Sequence, residues 1–125
     1  MTVERKPVQF GDLRGWLRAL KDAGELAEVN ASVDWNIELG TVTRLAQGTG
    51  DGPALLFNHI KDYDGPRARC RRIFACSLSS YRRIAMMLGM APGTHPREMV
   101  KLCRTILTGA TPPKIVPGGP VKENI

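Results

Sequence analysis

Residues 25–60 read ELAEVNASVDWNIELGTVTRLAQGTGDGPALLFNHI, and the change of hydrophobic period along this stretch decides the fold. Glu25 to Val33 alternates Leu26, Val29 and Val33 imperfectly with polar positions, the signal of a strand that ends at Asp34. A helical period follows. Asn36 stands where an N-cap belongs, and Ile37 to Gln47 puts Ile37, Thr41 and Leu45 in one row with Val42 beside them. Gly48 and Gly50 stop that helix. Pro53 then precedes Ala54 to Phe57, a short apolar run that fits a strand buried on both faces. The intervening GTGDG, Gly48 to Gly52, lacks the helix and lysine of a phosphate loop and reads as a turn.

Upstream, Asp12 caps a helix with Leu13, Trp16, Leu17 and Leu20 on one face, ended by Gly24. Gly15 inside it costs about 1 kcal/mol relative to alanine, which points to close packing at that position. Downstream, the turn DYDGP (Asp62 to Pro66) leads to RRIFACSL (Arg71 to Leu78), where Ile73 and Phe74 head a third strand. Ser79 or Ser80 caps a helix whose Tyr81, Ile84, Ala85 and Leu88 form its apolar stripe, with Arg82 and Arg83 facing outward and Gly89 at its end. His95-Pro96-Arg97-Glu98 opens a last helix carrying Met99, Leu102, Cys103 and Ile106, and Gly109 closes it.

The expected fold is α/β bordering on α+β: a small mixed sheet of about three strands, with at least one antiparallel pair, packed with about four helices. An N-terminal arm over 1–11, a domain over 12–109 and an extended linker over 110–125 make up the expected organisation. Four prolines and two glycines among the last sixteen residues, ATPPKIVPGGPVKENI, forbid a helix there and discourage a central strand. Such an ending reads as a connection leaving a folded unit toward a further one.

At 125 residues, with 42% hydrophobic and 24% charged residues, the composition is that of one globular domain. No apolar run reaches the length of a membrane span, and MTVERKPVQF holds no apolar signal core, so the cytoplasm is the expected compartment. Cys70, Cys76 and Cys103 form no C-x-x-C pair, which argues for reduced, inert thiols rather than a disulfide or zinc framework. The net charge of +6 is uneven, since Gly65 to Gly109 carries nine bases against Glu98 alone. Such a block suits nucleic acid, a solvated face or an acidic neighbour, but only Phe74 and Tyr81 offer aromatic surface for stacking on bases.

No residue pattern of a catalytic, cofactor-binding or metal-binding site emerges, and none is assigned. His59 and His95 lack the partners of a ligand motif and read as surface or structural residues. Glu38 suits the positive end of its helix, Asp62 and Asp64 are turn residues, and Lys122 and Glu123 are solvated charges of the tail. Met86, Met87 and Met90 read as soft core filling.

Five segments in this order, DLRGWLRALKDAGELAEV (12–29), VDWNIELGTVTRLA (33–46), GPALLFNHI (52–60), SYRRIAMMLGM (80–90) and PPKIVPGGPVKENI (112–125), carry a resemblance. From about Phe10 to Ile125 the chain resembles the N-terminal domain of the UbiD-like carboxy-lyases. FNHIKDYDG (57–65) and ACSLSSYRR (75–83) depart from that family's pattern, so the resemblance does not specify a substrate. It implies reversible decarboxylation of an aromatic or α,β-unsaturated acid in a full-length, homo-oligomeric protein. The implied cofactor is prenylated flavin mononucleotide with a divalent metal (Mn or Mg) and K, held by a central flavin-binding domain or subunit that also carries the catalytic arginine and glutamates. By that resemblance this chain has an architectural part and binds none of these groups itself. An accessory subunit of a decarboxylase complex, and a free-standing basic adaptor for nucleic acid or an acidic protein, are the alternatives.

Overall fold

The structure, a computed structural model, describes residues 9–48, 50–109 and 112–119. Its elements run α1 (Leu13–Asp22), β1 (Leu26–Val33), α2 (Glu38–Ala46), β2 (Ala54–Ile60), β3 (Ile73–Ala75), α3 (Tyr81–Met87) and α4 (Pro96–Thr108). The three strands form one sheet in the order β1-β2-β3. β1 and β2 pair in parallel from Leu26 opposite Ala54 to Val33 opposite Ile60, with the register shifting between Val29 and Ser32. β2 and β3 pair antiparallel, Leu56 facing Phe74. The mixed sheet and four helices make an α+β fold.

Alternation along the strands separates two hydrophobic clusters. On one face Val33, Leu55, Phe57 and Ile60 are buried beneath Leu39, Val42 and Ala46 of α2. On the other, Trp16 and Leu20 of α1 close over Ala54, joined by Leu26, Phe74, Met86 and Met87. The central position of β2 explains why its apolar run is buried on both faces. It continues past Phe57 to Ile60, because Val33 offers a partner beyond the polar Asn58 and His59.

α1 starts as its sequence dictates, with Asp12 Oδ1 accepting from the Gly15 amide at 2.8 Å. Gly15 is confined: a Cβ there would collide with the Phe10 carbonyl, and the Phe10 ring lies 4.7 Å from that of Trp16.

α2 differs from expectation in two ways. Asn36 does not cap it; Ile37 occupies that position with φ 72° and makes no side-chain cap. The corner is instead built by two acids. Glu38 Oε2 accepts from the Asp34 amide at 2.7 Å, and Asp34 Oδ1 accepts from the Asn36 amide at 2.8 Å. The helix is thereby rotated, so that Leu39, Val42 and Ala46 meet the core while Ile37 and Leu45 are 78% and 75% exposed. Two neighbouring rows were both apolar, and the entry corner selects between them.

β3 keeps only Ile73–Ala75 of the RRIFACSL segment, because Cys76 adopts φ 60° and turns the chain out of the sheet. Ser80 caps α3, its Oγ accepting from the Arg83 amide. Ala85 is buried as expected, whereas Tyr81 is largely exposed and Arg83, expected to face outward, is fully buried. α4 begins with Pro96 after His95, buries Met99 and leaves Ile106 and Leu107 exposed. Residues 112–119 contain no helix or strand. Lys122 and Glu123 lie outside the described residues.

Candidate functional site

The most completely built polar cluster converges on Arg83, whose side chain is fully buried. Its Nη1 donates to Glu25 Oε2 at 2.9 Å, and its Nη2 donates to the Gly52 carbonyl at 2.8 Å and to Ser79 Oγ at 2.9 Å. Ser79 Oγ donates to Gln47 Oε1 at 2.6 Å, and Gln47 Nε2 returns to the Pro53 carbonyl. Arg82 Nε approaches the other Glu25 oxygen at 2.8 Å from solvent. Arg83 therefore links α3, the residue before β1, the loop into β2 and, through Ser79, the end of α2.

Local geometry makes this possible. Gly52 is buried so tightly that an added Cβ would strike the Ala46 carbonyl. Its own carbonyl is thereby fixed toward Arg83. Ser80 begins α3 so that Arg82 and Arg83, on successive positions, reach the two oxygens of one carboxylate. A buried guanidinium demands such partners, because an unpaired internal charge is severely disfavoured. Nε of Arg83 alone lacks one among the described residues. Arg83 and Gly52 are buried and Glu25 largely so, while Ser79 and Arg82 reach the surface, so the cluster ties α3 to the starts of β1 and β2 and to the end of α2 from the interior to the edge of the domain.

The remaining candidates stay dispersed. His59 Nδ1 stands 3.8 Å from Asp64 Oδ1, both side chains more than half exposed. His95 serves α4 as its N-cap, with Nδ1 accepting from the Arg97 amide at 3.2 Å. Glu38 is committed to Asp34, and Lys61 Nζ lies 2.8 Å from Asp34 Oδ2. The Lys61 hydrogen bond and the Asn36 amide hold the Asp34 carboxyl below its ordinary value, and Asp34 in turn raises Lys61. Similarly Lys21, 2.7 Å from Glu28, lowers that carboxyl with help from Asn58. Cys70, Cys76 and Cys103 are free thiols. Met86 and Met87 fill the α1 side of the core. Among the described residues, no three His, Cys, Asp or Glu side chains converge as a metal site.

The basic block is not one continuous track. Arg82 and Arg83 are spent on Glu25, Arg71 Nη2 holds the Gly65 and Pro66 carbonyls, and Lys101 pairs with Glu98 on α4. Sequence reasoning missed Arg83, since an Arg-Arg pair at a helix start gives no sign of which member turns inward. The usable signal was Glu25, an acid directly before an apolar strand.

A fold of this kind is placed by its relatives. The model of the 3-octaprenyl-4-hydroxybenzoate carboxy-lyase N-terminal domain, UbiD_N, matches residues 17–103. The chain belongs to this family. Pyrrole-2-carboxylic acid decarboxylase of Pseudomonas aeruginosa is 32% identical over 120 residues, covering 91% of this chain and 24% of the relative. Phenolic acid decarboxylase of Bacillus subtilis is 39% identical over 90 residues, covering 71% of this chain and 18% of the relative. The open form of Sedimentibacter hydroxybenzoicus vanillic acid decarboxylase superposes with TM-score 0.62 at 26% identity, over 72% of this chain and 18% of that one. This UbiD_N chain thus spans a quarter or less of the length of the curated relatives it matches. No helix among its described residues is long and apolar enough to cross a membrane.

Proposed function

We propose that this UbiD_N chain is the architectural N-terminal part of a cytoplasmic decarboxylase of aromatic or α,β-unsaturated acids, with chemistry supplied by a flavin-binding domain or subunit beyond residues 1–125. The observation that carries this reading is the family match, joined to relatives that are decarboxylases of aromatic acids and of which the chain covers only 18–24%. The fold supports it as well: the polar cluster of Arg83 with Glu25, Gly52 and Ser79 is occupied with holding elements together.

On this reading residues 12–109 form the domain and 110–125 the crossing to its neighbour. Prenylated flavin mononucleotide, with Mn or Mg and K, supplies the electron-accepting chemistry when bound to the complete enzyme. The described residues offer no convergent ligands for its divalent metal, and no catalytic step is assigned to them. Their contribution is a rigid block beside the reacting centre.

The test is flavin retention. The 125-residue chain, mixed with prenylated flavin mononucleotide, Mn and K and then gel-filtered, is expected to elute free of flavin absorbance. Stoichiometric co-elution would overturn the reading.

A further inference from the structure

A cavity of about 470 Å³ opens between α1 and residues 68–74, on the sheet face opposite α2. Leu56, nearly buried, and the half-buried ring of Phe74 form its floor. Around the rim stand Arg14, Arg69, Arg71 and Arg72. This combination of an apolar floor, a few convergent polar groups and a volume within the range of about 300–1,000 Å³ is that of small-ligand pockets.

None of the four guanidinium groups has a carboxylate of the described residues within 4.0 Å. Glu28, on the adjoining surface, is engaged by Lys21 at 2.7 Å and by Asn58 Nδ2 at 3.2 Å, and feels Arg72 only as a weaker, longer-range charge. Asp64, near Arg71 and Arg72, faces His59. Arg71 is steadied by the Gly65 and Pro66 carbonyls at 3.3 and 3.4 Å, which fixes the segment that carries its neighbours. Four like charges around an apolar hollow repel one another, and an anion placed among them relieves that repulsion. Guanidinium forks match the planar or tetrahedral oxygens of carboxylate and phosphate in paired hydrogen bonds. The floor of Leu56 and Phe74 adds a preference for a flat apolar body over a bare inorganic ion.

We propose that this cavity binds a small aryl anion, an aromatic ring bearing a carboxylate or a phosphate ester. The inference rests on the cavity alone and stands or falls independently of the decarboxylase reading.

The experiment is a titration of the isotope-labelled 125-residue chain followed by amide chemical shifts, with benzoate, phenyl phosphate, inorganic phosphate and benzyl alcohol as probes. Benzoate, phenyl phosphate or both are expected to give saturable shifts confined to α1, Leu56 and residues 68–74; which of them binds more tightly identifies the acid group. Inorganic phosphate and benzyl alcohol, each lacking one half of the ligand, are expected to bind at least about tenfold more weakly. The Arg69→Gln/Arg72→Gln variant, altered only at exposed side chains, is expected to keep its dispersed spectrum and lose affinity about tenfold or more. The proposal is overturned by non-saturating shifts for both aryl anions, by benzyl alcohol or inorganic phosphate binding as tightly, or by unchanged affinity in the variant. An acidic peptide that alone shifts these residues overturns it too, and marks the face as a protein contact.

Discussion

Arg83 Nη1 lies 2.9 Å from Glu25 Oε2, a contact between residues 58 positions apart that joins α3 to the start of β1. Removing Glu25 strands the buried Arg83 charge, whereas removing Arg83 leaves the largely buried Glu25 with only the exposed Arg82 and frees the Gly52 carbonyl. Arg83→Met is expected to destabilise the fold by about 3–5 kcal/mol. The double variant Glu25→Leu/Arg83→Met is expected to recover part of that loss, because the largely buried carboxylate is then removed with its buried partner. Urea denaturation midpoints of the three proteins check both statements.

Space around two glycines gives opposite expectations for the same substitution. Gly52→Ala drives a methyl into the Ala46 carbonyl and disturbs the acceptor that Arg83 uses, at a cost of about 1–3 kcal/mol. Gly40→Ala, within α2 and facing open space, is expected to stabilise by roughly 0.5–1 kcal/mol through helix propensity. Thermal unfolding of the two variants should move in opposite directions.

Ile37 is a β-branched residue held at φ 72° with its side chain 78% exposed. With ψ −53° and the Glu38 amide donating to the Asn36 carbonyl at 2.9 Å, Ile37 is the centre of a strained γ-turn, a geometry that costs of order 1–3 kcal/mol, and little burial repays it. Ile37→Gly is expected to raise stability by about 1 kcal/mol, measured as an increase in the urea midpoint without a change in slope.

Lys61 and Asp34 set a pH dependence whose sign follows from their shifts. The Asp34 carboxyl is lowered, so its contribution is complete above the ordinary carboxylate value and disappears as pH falls through the lowered folded-state value. Lys61 is raised, so its contribution is present below the ordinary lysine value and disappears as pH climbs through the raised one. Lys61→Met should therefore melt below the parent at neutral pH, with the gap closing toward about pH 2. A constant gap from pH 7 to 2 would show that Lys61 acts by packing rather than charge.

Elements defined by a single dominant period were legible in the sequence. α1 has one apolar face and an aspartate before it, and β2 opens on the uninterrupted apolar run Ala54 to Phe57; both formed there, with β2 continuing to Ile60. Choices between near-equivalent rows were not legible. In α2 both Ile37-Thr41-Leu45 and Leu39-Val42-Ala46 can cover a sheet, and the selection is made by Asp34 and Glu38 at the corner, a tertiary detail with no periodic signature. The inward turn of Arg83 depends on Glu25 and Gly52 arriving from distant segments. Family membership was legible for a different reason: it rests on five short segments in order, a pattern that survives local misreadings of which face is buried.

The central claim, that this chain shapes an enzyme without carrying its chemistry, is tested most directly by carbon dioxide release. The 125-residue chain is incubated with prenylated flavin mononucleotide, Mn, K and a panel of aromatic acids including pyrrole-2-carboxylate and vanillate. The account predicts release no faster than in a protein-free control. Sustained turnover that scales with the concentration of this chain would contradict it.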